Sequence, residues 1–203
     1  MGRGTPTGAA ADEASPLEAV PPADVLDSVK QPDALGRVQV ELTVNGRPCR
    51  LQVRTTETLL EALRGELKLV GARNGCAVGM CGACTVLRDG RAVSGCLTLA
   101  VLCEGADIRT VEGLRGPDGR LSAVQQAFLE HRAFQCSYCT SGFILALEAL
   151  LATQPHPTES AIRRVFSGHL CRCGSYSRIM AAARQAAGLP GGATETGPEG
   201  AGG

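Results

Sequence analysis

Residues 71–96 read GARNGCAVGMCGACTVLRDGRAVSGC, and this stretch carries four of the ten cysteines in the 203-residue chain. Cys76, Cys81 and Cys84 have the spacing C-x4-C-x2-C, and eleven residues separate Cys84 from the fourth cysteine, Cys96. This spacing is that of a plant-type [2Fe-2S] cluster loop and differs from the spacing of zinc fingers. We therefore predict that these four cysteines hold a two-iron cluster.

Glycines punctuate the same stretch, at Gly71, Gly75, Gly79 and Gly82. An anionic cluster with four thiolates needs backbone N–H groups aimed at its sulfurs, in a chain that bends tightly. Glycine permits such bends, because it adopts positive φ angles and lets the backbone approach closely without a Cβ clash. The glycine pattern supports the prediction of a cluster loop.

A second group of four cysteines lies further along the chain. Cys136 and Cys139 form C-x2-C, and thirty-one residues later Cys171 and Cys173 form C-x-C. Common zinc sites do not have this spacing. Each pair precedes a predicted helix, and helix N-termini present free N–H groups and partial positive charge. The pattern indicates a second anionic metal cluster.

Other uses of these cysteines are less favoured. A disulfide framework calls for a higher cysteine density and a secretory signal. Structural zinc is less favoured because both groups of four cysteines have the spacing of iron-sulfur cluster loops. Covalent haem requires C-x-x-C-H, whereas Cys84 and Cys139 are each followed by threonine. His169 precedes Cys171, which is the wrong order for a Rieske site.

Composition restricts the class of protein. Hydrophobic residues make up 44% of the chain, and twenty basic side chains balance twenty acidic ones, which gives no basic surface for nucleic acid. The longest strongly apolar stretch, residues 143–152, is too short to span a membrane. No phosphate loop, dinucleotide fingerprint or Ser/His/Asp set is visible. Cys49 and Cys103, outside both tetrads, are interpreted as buried apolar residues.

Both ends of the chain are excluded from the predicted fold. Residues 1–35 are rich in Ala, Pro, Gly and Asp, with no twin arginine and no apolar core segment, so we predict a disordered leader. Residues 189–203 are glycine-rich and are predicted to form a disordered tail. The lack of an export signal favours the cytoplasm.

Residues 36–112 have the pattern of a small α+β domain. Apolar side chains alternate over residues 38–44 and 49–53 around Asn45-Gly46, a type I′ turn signal, which predicts a β-hairpin. A second hairpin turns at Asp89-Gly90, and a short strand is predicted around residues 108–111. Two hairpins packed on one helix form a β-grasp arrangement.

The helix of this domain is predicted from its N-terminal signal. Thr58-Leu59-Leu60-Glu61 matches a capping box, and the expected apolar stripe consists of Leu59, Leu60, Leu63 and Leu67. Beyond a connector at residues 113–119, residues 120–188 are predicted to form a helical domain. Its four helices, expected to pack as a bundle, are Ser122–Arg132, Ser141–Ala152, Thr158–Phe166 and Arg178–Ala187.

Four short strings together resemble one known family. They are Gly75-Cys76, GMCGACTV at 79–86, QCSYC at 135–139 and GHLCRCGSY at 168–176. These strings are similar to the signatures of the two-cluster iron-sulfur subunit of molybdenum hydroxylases, the family of xanthine dehydrogenase, aldehyde oxidoreductase and carbon monoxide dehydrogenase. The resemblance covers residues 37–187 approximately, with both tetrads in the family's order.

The resemblance implies a ferredoxin-like N-terminal domain and a four-helix C-terminal domain, each with one [2Fe-2S] cluster. It implies a relay in which electrons leave a molybdenum-pterin centre on a large subunit and end on FAD of a medium subunit. The cluster of the second tetrad would come first and that of the first tetrad second. By the same resemblance, Gln135 and Cys139 would contact the pterin.

Two departures from the family pattern fall next to the second tetrad. Ser137 stands where glycine is usual, so a Cβ occupies a position that can require an unusual φ. Ser141 stands where proline is usual and is expected to cap the helix that begins there. Neither change removes a cysteine.

A second class of function remains open from the residues alone. The chain could be a non-catalytic zinc-binding or redox-sensing interaction module. The family resemblance favours instead an electron-transfer subunit without a substrate pocket, serving an enzyme that hydroxylates an aldehyde, a purine or a similar small molecule.

Overall fold

The computed structural model describes residues 30–116 and 118–190. Most of the predicted leader and tail, residues 1–29 and 191–203, lies outside this range. The described chain is a mixed α+β structure with one five-stranded sheet and five α-helices. None of the helices in these residues has the length and apolarity needed to cross a membrane.

The first predicted hairpin is confirmed. Strands β1 (Arg37–Val44) and β2 (Arg47–Arg54) pair antiparallel, with Val44 opposite Arg47. At the turn, φ is 52° at Asn45 and 75° at Gly46. Two positive φ angles are what a type I′ turn requires, and this turn follows the twist of the strands it joins.

The second hairpin completes the sheet. Strands β3 (Thr85–Arg88) and β4 (Arg91–Ser94) pair antiparallel around Asp89-Gly90, which also has positive φ at both positions. Strand β5 (Asp107–Arg109) lies between the two hairpins, parallel to β1 and antiparallel to β3. The sheet order is β2-β1-β5-β3-β4.

Strand β5 is shorter than the sequence predicted. It ends at Arg109, and Val111–Gly113 form a 3-10 helix. The backbone N–H of Thr110 donates to Oδ1 of Asn45 at 2.8 Å. Because a side chain of the first turn takes this donor, the strand pairing stops there. The prediction of strand up to Val111 is therefore wrong.

Helix α1 (Leu59–Gly65) begins at the predicted capping box. Oγ1 of Thr58 accepts from the backbone N–H of Glu61 at 3.2 Å, and the Glu61 carboxylate accepts from the backbone N–H of Thr58 at 2.8 Å. Leu59, Leu60 and Leu63 are buried against the sheet. Leu67, the fourth predicted stripe residue, lies beyond the end of the helix and is only partly buried.

All four predicted C-terminal helices are present, with ends within two residues of the prediction: α2 (Ala123–Glu130), α3 (Thr140–Thr153), α4 (Glu159–Phe166) and α5 (Tyr176–Ala186). Helix α3 packs on α2 and α4 and also on β3 and β4. One hydrophobic cluster lies between the sheet and α1, and a second lies among the later helices. Helix α3 thus borders both.

Leu63 provides a test of the first hydrophobic cluster. Its side chain is fully buried, so Leu63→Ala is expected to lower the free energy of unfolding by about 2–5 kcal/mol through lost burial and a residual cavity. Leu129→Ala is the control, because Leu129 is a helical leucine that is 50% exposed. Denaturant unfolding followed by circular dichroism measures both, and equal losses would contradict this placement of Leu63.

Candidate metal centres

The first tetrad is assembled at one end of the second hairpin. Cys76, Cys81 and Cys84 lie in the irregular segment between α1 and β3, and Cys96 follows β4 by two residues. Cys84 and Cys96 are buried, whereas Cys76 and Cys81 are half-buried. The antiparallel pairing of β3 and β4 explains how the distant fourth cysteine returns to the other three, since Thr85 lies opposite Ser94.

Backbone donors converge on the sulfur of Cys76. The N–H groups of Val78 and Met80 point to its Sγ at 3.5 and 3.3 Å. The Val78 N–H is the main cause that lowers the pKa of the Cys76 thiol to about 6. In contrast, burial raises the pKa of Cys84 to about 11. A metal that binds the thiolate form would therefore displace a proton from Cys84.

Glycines in this loop act in two different ways. Gly79 and Gly82 have φ of 75° and 69°, as the cluster-loop prediction required. Gly75 instead leaves room for a ligand, because a Cβ there would lie 2.7 Å from Sγ of Cys81. Ala77 also has a positive φ, of 56°, although it is not glycine. The loop thus tolerates strain at Ala77 to keep its turn.

The second tetrad combines two turns that each lead into a helix. Cys136 and Cys139 precede α3, and Cys171 and Cys173 precede α5. The sulfurs of Cys136 and Cys173 are 3.5 Å apart. Burial raises the pKa of Cys139 to about 12, whereas the backbone N–H of Tyr138 lowers the pKa of Cys136. Each tetrad therefore contains one cysteine whose thiol pKa is lowered and one whose thiol pKa is raised.

The two serines beside Cys139 have different outcomes. Ser137 has a φ of 62°, so the expectation that this position needs an unusual φ is confirmed. The prediction that Ser141 caps the helix is wrong. Cys139 is the N-cap of α3, and Ser141 lies in the first turn with its hydroxyl buried and without a hydrogen-bond partner. The helix starts earlier than predicted because the cysteine turn runs directly into it.

The thiols meet in pairs. Across the described residues, no three His, Cys, Asp or Glu side chains are grouped to hold a single metal ion. A [2Fe-2S] cluster divides four thiolates between two irons, and thiols that lie in pairs suit such a ligand set. The pairs are Cys76 with Cys81, Cys84 with Cys96, Cys136 with Cys173, and Cys139 with Cys171.

The loops of the two tetrads are in direct contact. The backbone N–H of Leu170 donates to the carbonyl of Cys81 at 3.0 Å, which joins the residue before Cys171 to a cysteine of the first tetrad. The Tyr138 hydroxyl donates to the carbonyl of Asn74 at 2.8 Å. Cysteines of both tetrads also line one cavity of about 390 Å³. A metal cluster bound by the first tetrad would therefore lie close to one bound by the second.

Gln135, Cys49 and Cys103 differ in their exposure to solvent. Gln135 is exposed beside Cys136, which is exposed as well. Cys103 is fully buried, as predicted, whereas Cys49 on β2 is only half-buried. Neither Cys49 nor Cys103 belongs to a tetrad.

His169 is a residue whose role the sequence analysis missed. Its Nε2 lies 3.1 Å from Oγ1 of Thr85, which follows Cys84 directly. Burial lowers the pKa of His169 and favours its neutral form. The contact between His169 and Thr85 spans 84 positions of sequence, so it leaves no local pattern. In the sequence, a role for His169 was indicated only by its place two residues before Cys171, inside the GHLCRCGSY string.

Comparison with known proteins defines the class. Residues 42–107 match the 2Fe-2S iron-sulfur cluster binding domain, and residues 110–184 match the [2Fe-2S] binding domain. The nicotine 6-hydroxylase small subunit of Paenarthrobacter nicotinovorans is 46% identical, over 77% of this chain and 94% of that protein. The xanthine dehydrogenase iron-sulfur-binding subunit of Escherichia coli O157:H7 is 46% identical, over 70% of this chain and 90% of the relative.

A solved structure agrees with these relatives. The crystal structure of quinoline 2-oxidoreductase from Pseudomonas putida 86 contains a chain that is 40% identical, with a TM-score of 0.71, over 75% of this chain and 95% of that one. The protein is thus an iron-sulfur protein with two [2Fe-2S] binding domains. It belongs to the iron-sulfur small subunits of molybdenum hydroxylases, and it is an oxidoreductase subunit that transfers electrons.

Gly82 tests the contact between the two loops. A Cβ at this position would lie 2.4 Å from Cδ2 of His169 and 2.7 Å from the carbonyl of Gly168, so Gly82→Ala is expected to force the loops apart and to lower the iron bound per chain. Gly90→Ala is the matched control, because Gly90 shares a positive φ but has no atom within 4 Å of the added Cβ. Similar iron contents in the two variants would contradict a close packing at Gly82.

Proposed function

We propose that the first tetrad, Cys76, Cys81, Cys84 and Cys96, holds one [2Fe-2S] cluster and that the second, Cys136, Cys139, Cys171 and Cys173, holds another. The paired thiols, the N–H groups at Cys76 and the helix N-terminus at Cys139 support this assignment. When bound, each cluster accepts and releases one electron. The chain itself supplies thiolates, donors that offset their charge, and a fixed separation.

The relay function is carried by one observation, the hydrogen bond from the Leu170 N–H to the Cys81 carbonyl. It holds a loop of the second tetrad against a loop of the first. We propose that electrons enter at the second tetrad from a molybdenum-pterin centre on a large partner subunit. They leave from the first tetrad to FAD on a medium partner subunit.

The entry point is proposed from exposure. Gln135 and Cys136 are exposed at the turn before α3, and Cys139 follows them within the same turn. An amide can donate and accept hydrogen bonds, as a pterin ring requires. We therefore propose that Gln135 and Cys139 contact the pterin, which brings the molybdenum cofactor next to the second tetrad.

The finer architecture is also a proposal. Two hairpins with β5 between them and one capped helix are the parts of a β-grasp, ferredoxin-like domain, for which we propose residues 36–112. Residues 120–188 would form a four-helix [2Fe-2S]-binding bundle after a connector at 113–119. The second hydrophobic cluster among α2 to α5 supports this division.

The substrate is proposed only as a class. Relatives carry the names of nicotine, aldehyde and xanthine enzymes. We propose that the complex of this chain hydroxylates an aldehyde, a purine or a similar small molecule, at a site on the large subunit. A cytoplasmic location would keep the eight cysteines reduced and available for iron.

The zinc-binding or redox-sensing alternative is not favoured by the relatives. Iron, labile sulfide and zinc assays on anaerobically purified protein, with EPR after dithionite reduction, separate the two. The cluster assignment predicts about four irons and four sulfides per chain and two [2Fe-2S] signals. Stoichiometric zinc in either tetrad, in protein that has kept its iron elsewhere, would refute it.

Serine substitutions test the order of the relay in the assembled complex. Cys81→Ser is expected to remove the first cluster, to leave molybdenum reduction by substrate intact and to block flavin reduction. Cys139→Ser is expected to damage the second cluster and the pterin contact together. Cys49→Ser is the control, since this cysteine lies outside both tetrads. Stopped-flow spectroscopy measures each step, and normal flavin reduction in Cys81→Ser would falsify the assigned order.

A further inference from the structure

A chain of side-chain hydrogen bonds runs between the two cysteine loops. Thr85, the first residue of β3, is buried next to Cys84. Its hydroxyl donates to the carbonyl of Gly82 at 2.7 Å, and the same oxygen lies 3.1 Å from Nε2 of His169. Because His169 lies two residues before Cys171, these hydrogen bonds link residues close to cysteines of both tetrads.

The direction of this chain follows from donor counting. A threonine hydroxyl has one hydrogen, and in Thr85 that hydrogen is directed to the Gly82 carbonyl. The Thr85 oxygen is then left as an acceptor, and the contact with His169 is a hydrogen bond in the tautomer that carries the ring hydrogen on Nε2. A side chain without a donor at the position of Nε2 breaks the link.

Close packing keeps the His169 ring in place. A Cβ on Gly82 would lie 2.4 Å from Cδ2 of the ring, and a Cβ on Gly142 in α3 would lie 2.2 Å from the Gly82 carbonyl oxygen. The ring centroid is also 5.2 Å from that of Phe143, which belongs to α3 as well. The ring is therefore held between the first loop and α3, so its orientation and its hydrogen bond are fixed together.

We propose that His169 and Thr85 are positioning residues that set the separation and relative orientation of the two clusters. The proposal rests on the proposed function, because it presumes one cluster in each tetrad. In the step concerned, one electron leaves the reduced cluster and enters the oxidised one, and no atom is transferred. Functional groups held by locked side chains keep their geometry to within about half an ångström.

The magnetic interaction between the two reduced clusters tests the proposal directly. In the intact complex, reduced with dithionite, low-temperature EPR is expected to show a splitting that depends on the distance and orientation of the two paramagnetic clusters. Thr85→Val and His169→Phe each remove one polar partner while they keep most of the side-chain volume. Both are expected to retain full iron and to lose or change the native splitting.

Conservative variants separate positioning from general damage. Thr85→Ser keeps the hydroxyl, and His169→Gln keeps an amide donor near the position of Nε2, so both are expected to restore the native splitting. Thr110→Val is the matched control, because Thr110 is also buried and accepts a hydrogen bond from Asn45 at 3.0 Å, away from the loop contact. It is expected to leave the splitting unchanged.

Each other outcome has a defined meaning. A native splitting in Thr85→Val and His169→Phe, with full iron, would overturn the proposal. Loss of iron from both variants would also overturn it, since the contact would then serve cluster retention and not cluster spacing. The absence of two [2Fe-2S] signals from the wild-type chain would instead refute the proposed function. Failure of the positioning proposal and failure of the proposed function therefore give different results.

Discussion

Four thiolates gathered at one place repel one another unless nearby donors offset their charge. In the first tetrad, backbone N–H groups offset this charge. The loop therefore contains positive φ angles that aim these groups at the sulfur. The loop that aims Val78 and Met80 at the sulfur of Cys76 accepts a positive φ at Ala77 as well as at Gly79. Regular secondary structure would use these donors internally, so the loop stays irregular and is supported from outside by α1 and the β3–β4 hairpin.

The second tetrad meets the same requirement with helices. Cys139 is the N-cap of α3, and Cys171 and Cys173 lie just before α5, so both pairs of cysteines are placed next to a helix N-terminus. The strain appears again at a single position, Ser137. Two different backbone solutions thus serve the same chemistry, and they are brought together where Leu170 meets Cys81.

The sequence predicted the parts of the structure that depend on local signals. The turn at Asn45-Gly46, the capping box at Thr58 and the four later helices all follow from neighbouring residues, and all are present. The two groups of four cysteines, which were named from their spacing, remain predicted cluster ligands, and in the structure their loops lie against each other. Where a feature depends on a distant residue, prediction from the sequence failed. Strand β5 stops because of Asn45, some sixty-five positions away.

Contacts between the two cysteine loops were the largest omission. The pairing of His169 with Thr85 leaves no periodicity or spacing in the sequence, because each residue is ordinary in its own segment. The Ser141 error has a related cause. Serine before a helix favours an N-cap, but the turn that places Cys139 moves the helix start one residue earlier.

The position of helix α3 affects whether the two halves of the chain can be expressed separately. It begins at a cysteine of the second tetrad, and its flank covers β3 and β4 while it also packs on α2 and α4. Cutting the chain between the sheet and the helices would leave both fragments with uncovered apolar surface. Such fragments would tend to aggregate during expression, although the sequence pattern predicts two separate domains at residues 36–112 and 120–188. The apolar surface of each half is therefore covered only when the other half is present.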